Sequence, residues 1–301
     1  MSVEREGRRA SVDGLVVVDK PSGWTSHDVV GKVRGLAGTR KVGHAGTLDP
    51  MATGVLICGV GRATRLLGYL TGHDKAYRAT IRLGQSTVTD DAEGELIGEA
   101  TSADVDEETV RRTLAQFVGE IKQIPSSVSA VKVDGKRAYA RVRAGEEVTL
   151  EPRIVTISEL EVRSVTRPSP DLLDVDISVA CSSGTYVRAI ARDLGAALGV
   201  GGHVTELRRT RIGGIGLNVA RSIDQLEESF EVVALAEAVR ASFPSRKMSA
   251  DESDAVRHGR LIERHGEQGV IGAFDDDGRV LALMEPRDAS LRVVVGFTGS
   301  S

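Results

Sequence analysis

The chain has 301 residues, 41% of them apolar, and a formal net charge of −4; that is enough for one large folded unit and a small one. No apolar run approaches the roughly 20 residues that a membrane helix needs, so no membrane partner is expected. The charged start, residues 1–13, is followed by nothing that looks like a signal peptide, and the chain reads as cytoplasmic.

After that tail, expected to be disordered, residues 15–18 (Leu-Val-Val-Val) form a short apolar run that predicts a buried strand. Thr25 and Asp28 are spaced as an N-cap and its acidic partner, and Val29, Val30, Val33 and Leu36 follow at helical spacing, ending near Gly38. Strands are predicted over 55–58 and 77–83, a helix over 107–117, an alternating strand over 172–180 and a helix over 186–198. These elements mix without a regular βαβ repeat. That pattern favours an α+β fold with a mixed, mostly antiparallel central sheet flanked by helices and loops. Composition shifts at Phe243-Pro244-Ser245. Beyond it come a helix over 250–262, strands over 270–274, 280–284 and 291–295, and a turn at Asp276-Asp277-Gly278. The expected organisation is a tail (1–13), a main domain (14–243) and a small β-rich domain (244–301).

Several chemistries can be set aside. The six histidines are scattered and none pairs with another histidine or cysteine at zinc-site spacing. Asp275-Asp276-Asp277-Gly278 has its glycine too early for a calcium loop and fits a hairpin turn. No phosphate-binding loop, dinucleotide fingerprint or nucleophile elbow occurs, so neither a metal nor a nucleotide cofactor is expected. Cys58 and Cys181 lie in apolar, strand-like surroundings, which suits buried free thiols better than a disulfide.

The charge is unevenly spread. Lys122, Lys132, Lys136, Arg137, Arg141 and Arg143 cluster in one stretch, and Arg188, Arg192, Arg208, Arg209, Arg211 and Arg221 in another. A polyanion responds to such local fields despite the acidic total, although solvated helix and loop faces would look the same.

Three polar segments stand out. The first, from Gly43 to Gly54, holds Asp49 between glycines that allow close backbone approach and Pro50, which keeps it extended. Such a loop can present a carboxylate rigidly, or Asp49 can merely cap a turn. The second is Lys75-Ala76-Tyr77, where a scarce aromatic opens a strand and serves either as half-buried structure or as a ligand contact. The third, Cys181 to Arg188, joins a strand to a helix, and Arg188 is either a plain surface residue or a partner for a carboxylate.

Taken together, Asp19-Lys20-Pro21-Ser22-Gly23, Gly43-His44-Ala45-Gly46-Thr47-Leu48-Asp49-Pro50, Lys75-Ala76-Tyr77, Cys181 to Arg188, and Gly202-His203-Val204 with Leu207-Arg208-Arg209 resemble the tRNA pseudouridine synthases of the TruB type. The resemblance runs in order from about Gly14 to Arg211. It implies that uridine 55 in the T loop of tRNA is isomerised to pseudouridine, without cofactor or metal; a monomer is the expected form, although no motif bears on oligomeric state. It also implies that Asp49 is the catalytic carboxylate, acting at C1′, at C6 or on the C2′ proton. Arg188 would hold Asp49 ionised by lowering its pKa, and Tyr77 would stack on the uracil and assist at C5. Tyr186 and Leu207 would line the same pocket. His44 would fill the space left by the flipped base, and Lys20 would brace the catalytic loop. Lys132 and Arg141 would contact RNA from a clamping loop at about 122–150; there Ala140 follows Tyr139 where many relatives are acidic. The 244–301 unit resembles the small PUA-like RNA-binding domain that follows this catalytic domain. The competing readings are an RNA-folding chaperone and a synthase directed to another RNA or by a guide RNA.

Overall fold

The molecule is described by a computed structural model covering residues 13–126, 132–133, 136–137 and 151–297. β1 (Gly14–Lys20) is apolar on both faces because both are covered: Leu15 and Val17 enter one apolar cluster, Val16 and Val18 another. Thr25 caps α1 (Ser26–Ala37) in a reciprocal capping box with Asp28, and Gly38 closes it at φ 63°. There follow β2 (Val42–Ala45), β3 (Thr53–Val60), the short α2 (Leu67–Thr71), β4 (Lys75–Leu83), and the hairpin of β5 (Gln85–Thr87) and β6 (Leu96–Glu99). Next are α3 (Glu107–Ala115), β7 (Gly119–Gln123), and the paired two-residue strands β8 (Lys132–Val133) and β9 (Lys136–Arg137). β10 (Arg153–Ser169), β11 (Leu172–Cys181), α4 (Val187–Leu198) and β12 (Gly202–Ile212) complete the central part. After them come β13 (Ile215–Gly216), α5 (Ile223–Glu228), β14 (Val233–Ala234) and α6 (Leu235–Ser242).

Ten of these strands form one sheet in the order β14-β1-β3-β12-β4-β11-β10-β7, with β2 added to β3 and β13 to β12. Among the described pairings of this sheet, only β3–β12 is parallel, and it consists of Arg208↔Thr53 and Arg209↔Gly54. The sheet is therefore two antiparallel halves joined at a short parallel seam, and the α+β expectation holds. One face is covered by α1, α3 and α4; across β1 and β3 the other face meets α2 and α6.

A second sheet, in the order β15 (Ser245–Lys247), β17 (Ile271–Phe274), β18 (Val280–Arg287), β19 (Ser290–Gly296) and β16 (Ile262–Glu263), carries α7 (Ala250–Arg257). Phe274, Val280, Leu283 and Phe297 share an apolar cluster with Leu235 and Val239 of α6, so this sheet is packed against the main one. The turn expected at 276–278 joins β17 to β18, with Gly278 at φ 75°. The helix expected over 250–262 stops at Arg257, because Gly259 turns left-handed (φ 70°) and Ile262 pairs with Leu291.

Asp13, expected in the disordered tail, is held: its carboxylate accepts from the Arg62 backbone N at 2.6 Å and Nε at 2.5 Å. The rest of that tail lies outside the described residues, as do 127–131, 134–135 and 138–150 of the expected clamping loop.

Candidate active site

Asp49 sits on the loop between β2 and β3, beside the parallel seam. Two buried cations hold that loop by its carbonyls. Lys20, at the end of β1, donates from Nζ to Pro21 O (2.8 Å), Trp24 O (2.6 Å) and Pro50 O (3.0 Å). Arg209, 1% exposed on β12, donates to Val55 O (2.8 Å), Gly46 O (2.9 Å) and Thr47 O (3.4 Å). Buried Ser26 accepts from Leu48 N at 2.9 Å and donates to Leu48 O at 3.1 Å. The loop's shape is thus set by side chains from β1, α1 and β12. Burial pushes the Lys20 amine down to about 8, with the nearby Asp49 charge partly restoring it.

Arg188, in the first turn of α4, forms an ion pair with Asp49, its Nε 3.1 Å from Oδ2. Its Nη1 donates to Asp91 Oδ2 (3.0 Å) and Thr89 O (2.8 Å). Asp91 is itself fixed, its Oδ1 accepting from Thr89 Oγ1 (2.6 Å) and Glu93 N (3.1 Å). The Arg188 side chain is 6% exposed and that of Asp49 36%, so the carboxylate is the member of the pair open to solvent. Burial pushes the Asp49 carboxyl above its ordinary value; Arg188 pulls it down and Asp91 pushes it up. The net shift is therefore upward. Arg188 acts in the expected direction, but it is shared with a second carboxylate and desolvation outweighs it.

Tyr77 is buried on β4 opposite Arg209 of β12; burial pushes its phenol up and the Arg209 charge opposes that shift. Leu207 lies two residues before Arg209 on the same sheet face and joins Tyr77 and Leu48 in one apolar cluster. Tyr186 is half-buried at the start of α4; its backbone N donates to Gln123 Oε1 at 2.7 Å, and its carbonyl accepts from Gln123 Nε2 at 3.1 Å. His44 on β2 meets His27 edge to face with ring centroids 5.7 Å apart, and its Nδ1 is buried without a partner. Burial and His27 lower its pKa. Asp49, Arg188, Tyr77 and Lys20 are thus brought together, with Leu207, Tyr186 and His44 on the surrounding elements. Lys132 has only its backbone described, and Arg141 lies outside the described residues. Cys58 and Cys181 are free and buried.

Asp91, Arg209 and Gln123 escaped the sequence reading. Asp91 carries no motif of its own, although Thr89 two residues before it is a sign of a turn held by side chains. Arg209 was visible only as one cation among several; its alternation with Leu207 was the available signal.

A cavity of about 520 Å³ is lined by the outward-facing Arg78, Thr80, Asp176 and Arg208, and shares Leu207 with the constellation. Neither Asp49, Tyr77 nor Arg188 reaches it.

Comparison with known proteins identifies the family. Residues 34–187 match the model of the "TruB family pseudouridylate synthase (N terminal domain)". Residues 188–241 match "tRNA pseudouridylate synthase B C-terminal domain", and 243–298 match "tRNA Pseudouridine synthase II, C terminal". A "tRNA pseudouridine synthase B" of Thermobifida fusca is 58% identical over 96% of this chain and 99% of its own length. One from an Arthrobacter species is 53% identical over 96% and 98%. Among solved structures, a Cbf5-Nop10-Gar1 complex contains a chain 26% identical, with a TM-score of 0.71 over 95% of this chain and 85% of that one. The fold is that of the pseudouridine synthases. Within that class, the chain belongs to the TruB family.

Proposed function

We propose that the chain isomerises uridine 55 in the T loop of tRNA to pseudouridine, with Asp49 as the catalytic carboxylate. The observation that carries this reading is the Arg188–Asp49 ion pair at 3.1 Å, on a loop held by Lys20 and Arg209, in a chain 58% identical to a tRNA pseudouridine synthase B. The N1–C1′ bond breaks, the uracil turns, C5 bonds to C1′, and the C5 proton leaves while N1 gains one. Nothing is oxidised and no group is added, so the reaction requires neither cofactor nor metal.

Asp49 serves as the ionised group at the sugar–base junction, and Arg188 orients it and draws it toward ionisation against the cost of burial. Tyr77, with its phenol proton held on by burial, stacks on the uracil and helps direct the C5 proton outward. Leu207 and Tyr186 close the pocket against water, which protects the detached base. The uridine must leave the stacked T loop at a cost of a few kcal/mol, and His44, beside the loop, fills the vacated place. Lys132 and Arg141 contact the RNA from the basic stretch, and the 244–301 unit adds a PUA-like hold on the tRNA. The acting form proposed is the monomer, and a tRNA substrate and two free thiols support a cytoplasmic setting.

The test is tritium release from an isolated T-arm stem-loop labelled at uridine C5, without guide RNA or cofactor. Release from one uridine by the wild type, lost in Asp49→Asn with tRNA binding kept, supports the proposal. Undiminished release by Asp49→Asn refutes the catalytic assignment, and dependence on a guide RNA transfers the chain to the guided class.

A further inference from the structure

The aim of Arg188 depends on where α4 begins, and α4 begins without the usual help. Tyr186 occupies its N-cap position with no side-chain cap. Instead, Gln123, the last residue of β7 and 2% exposed, reaches across from another strand. Its amide accepts from Tyr186 N at 2.7 Å and donates to Tyr186 O at 3.1 Å. The next residue continues the attachment: Ile124 O accepts from Arg192 Nη2 at 2.8 Å, one turn along α4. Arg192 also reaches Asp90 (3.4 Å), the neighbour of the Asp91 that holds Arg188. The end of β7 is therefore fastened to both turns of α4 that flank the arginine.

We propose that Gln123 is a positioning residue for catalysis: by gripping both backbone polar groups of Tyr186, it fixes the first turn of α4 and hence the approach of Arg188 to Asp49. The grip needs a donor and an acceptor at once, which an amide supplies and an ionised carboxylate does not. This role rests on the function proposed above.

The chemistry provides its own test, because Gln123→Glu is nearly isosteric. Ionised, the new carboxylate would oppose the Tyr186 carbonyl; protonated, it would restore the donor. The charged groups around it are Arg192 on α4, Asp90 before it, and Arg153, its register partner on β10. None of these distinguishes the variant from the wild type, so the ratio of the two activities isolates the new group.

In single-turnover tritium release, the Gln123→Glu rate should fall about tenfold below wild type at pH 8 and recover to within about threefold at pH 6. Gln123→Met should be impaired by a factor that does not change with pH. T-arm affinity should move less than about threefold in both. A Glu-to-wild-type rate ratio that is flat with pH, or a loss confined to affinity, overturns the proposal. Thermal melts at both pH values separate the two layers. If the wild type releases no tritium, the function proposed above fails. In that case a Glu variant whose melting temperature approaches wild type at pH 6 but not at pH 8 still supports the grip, and melts that run parallel overturn it.

Discussion

Replacing Arg188 by methionine keeps much of the side chain's volume and removes its guanidinium, leaving Asp49 and Asp91 without the cation they share. A neighbouring arginine lowers a carboxylate by about 1–3 pH units when the pair is well formed. The Asp49 side chain is 36% exposed, so solvent screens part of that effect. The lower half of the range, about 1–2 units, is the appropriate expectation. Asp49 must be ionised to act, and burial already holds its carboxyl above the ordinary value. The acid limb of single-turnover tritium release should therefore move up by that amount, with part of the loss at neutral pH recovered as pH rises. Misorientation of Asp49 adds a loss that pH does not repair, and Arg188→Lys should restore charge without reaching both carboxylates. Asp91, its side chain 5% exposed, is left as an unpaired buried charge. That costs about 3 kcal/mol of stability, the low end for a broken buried pair because Thr89 and the Glu93 amide still bond to it. An unmoved acid limb together with a collapse of T-arm affinity at unchanged turnover would mean that Arg188 grips phosphate, and the reasoning would be refuted.

Other expectations follow from the same loop. Arg209→Met removes the donor from two loop carbonyls and from Val55 O on β3 and should cost about 3 kcal/mol in urea unfolding, with turnover falling much further than RNA affinity. Gly54→Ala places a Cβ 2.1 Å from Arg209 O at a φ of +98°, so the seam cannot close around it; a loss of about 3 kcal/mol or more is expected in thermal melts. Lys20, at about 8 in the folded chain against 10.5 ordinarily, gives up its proton as pH rises through 8. Stability gains from that group between those values, yet the neutral amine has two hydrogens for three carbonyls. Activity should bend downward above about pH 8, and the bend should vanish in Lys20→Met, whose plateau is lower. Asp49 behaves in the opposite sense. With its folded pKa raised above 3.8, the folded state keeps a proton that the unfolded state releases, and stability falls as pH rises through that window. Asp49→Asn should accordingly gain melting temperature relative to wild type at pH 8 and lose that advantage below pH 3.8.

What could be read from the chain divides by the range of the forces involved. The Asp49 loop was legible because glycine and proline restrict the backbone locally, and the start of α1 because Thr25 and Asp28 satisfy each other three residues apart. β10 was not foreseen. Most of its 17 residues are exposed or half-exposed, so no alternation marks it, and it is a strand because β7 and β11 flank it. The site shows the same division. Arg188 as a partner for Asp49 could be anticipated from its place near a helix start. The direction of the Asp49 shift could not, because it is set first by burial in the folded chain and then by Asp91, which is 42 residues away in sequence (91 − 49) and competes for the same guanidinium. Lys20 was assigned a bracing role through resemblance; which carbonyls it braces emerged only from the contacts.

The parallel seam between β3 and β12 bears on when the catalytic loop takes shape. Thr53 and Gly54 meet Arg208 and Arg209 across about half the length of the chain, and Arg209 is also what holds Gly46, Thr47 and Val55. Contacts of such long sequence separation form late, after more local hairpins such as β10–β11 have closed. A nascent chain still lacking β12 can therefore build much of its sheet, yet its Asp49 loop has no floor. The enzyme acquires its catalytic geometry only when most of its length has been made, and a chain truncated before Leu207 should be catalytically silent however much secondary structure it holds.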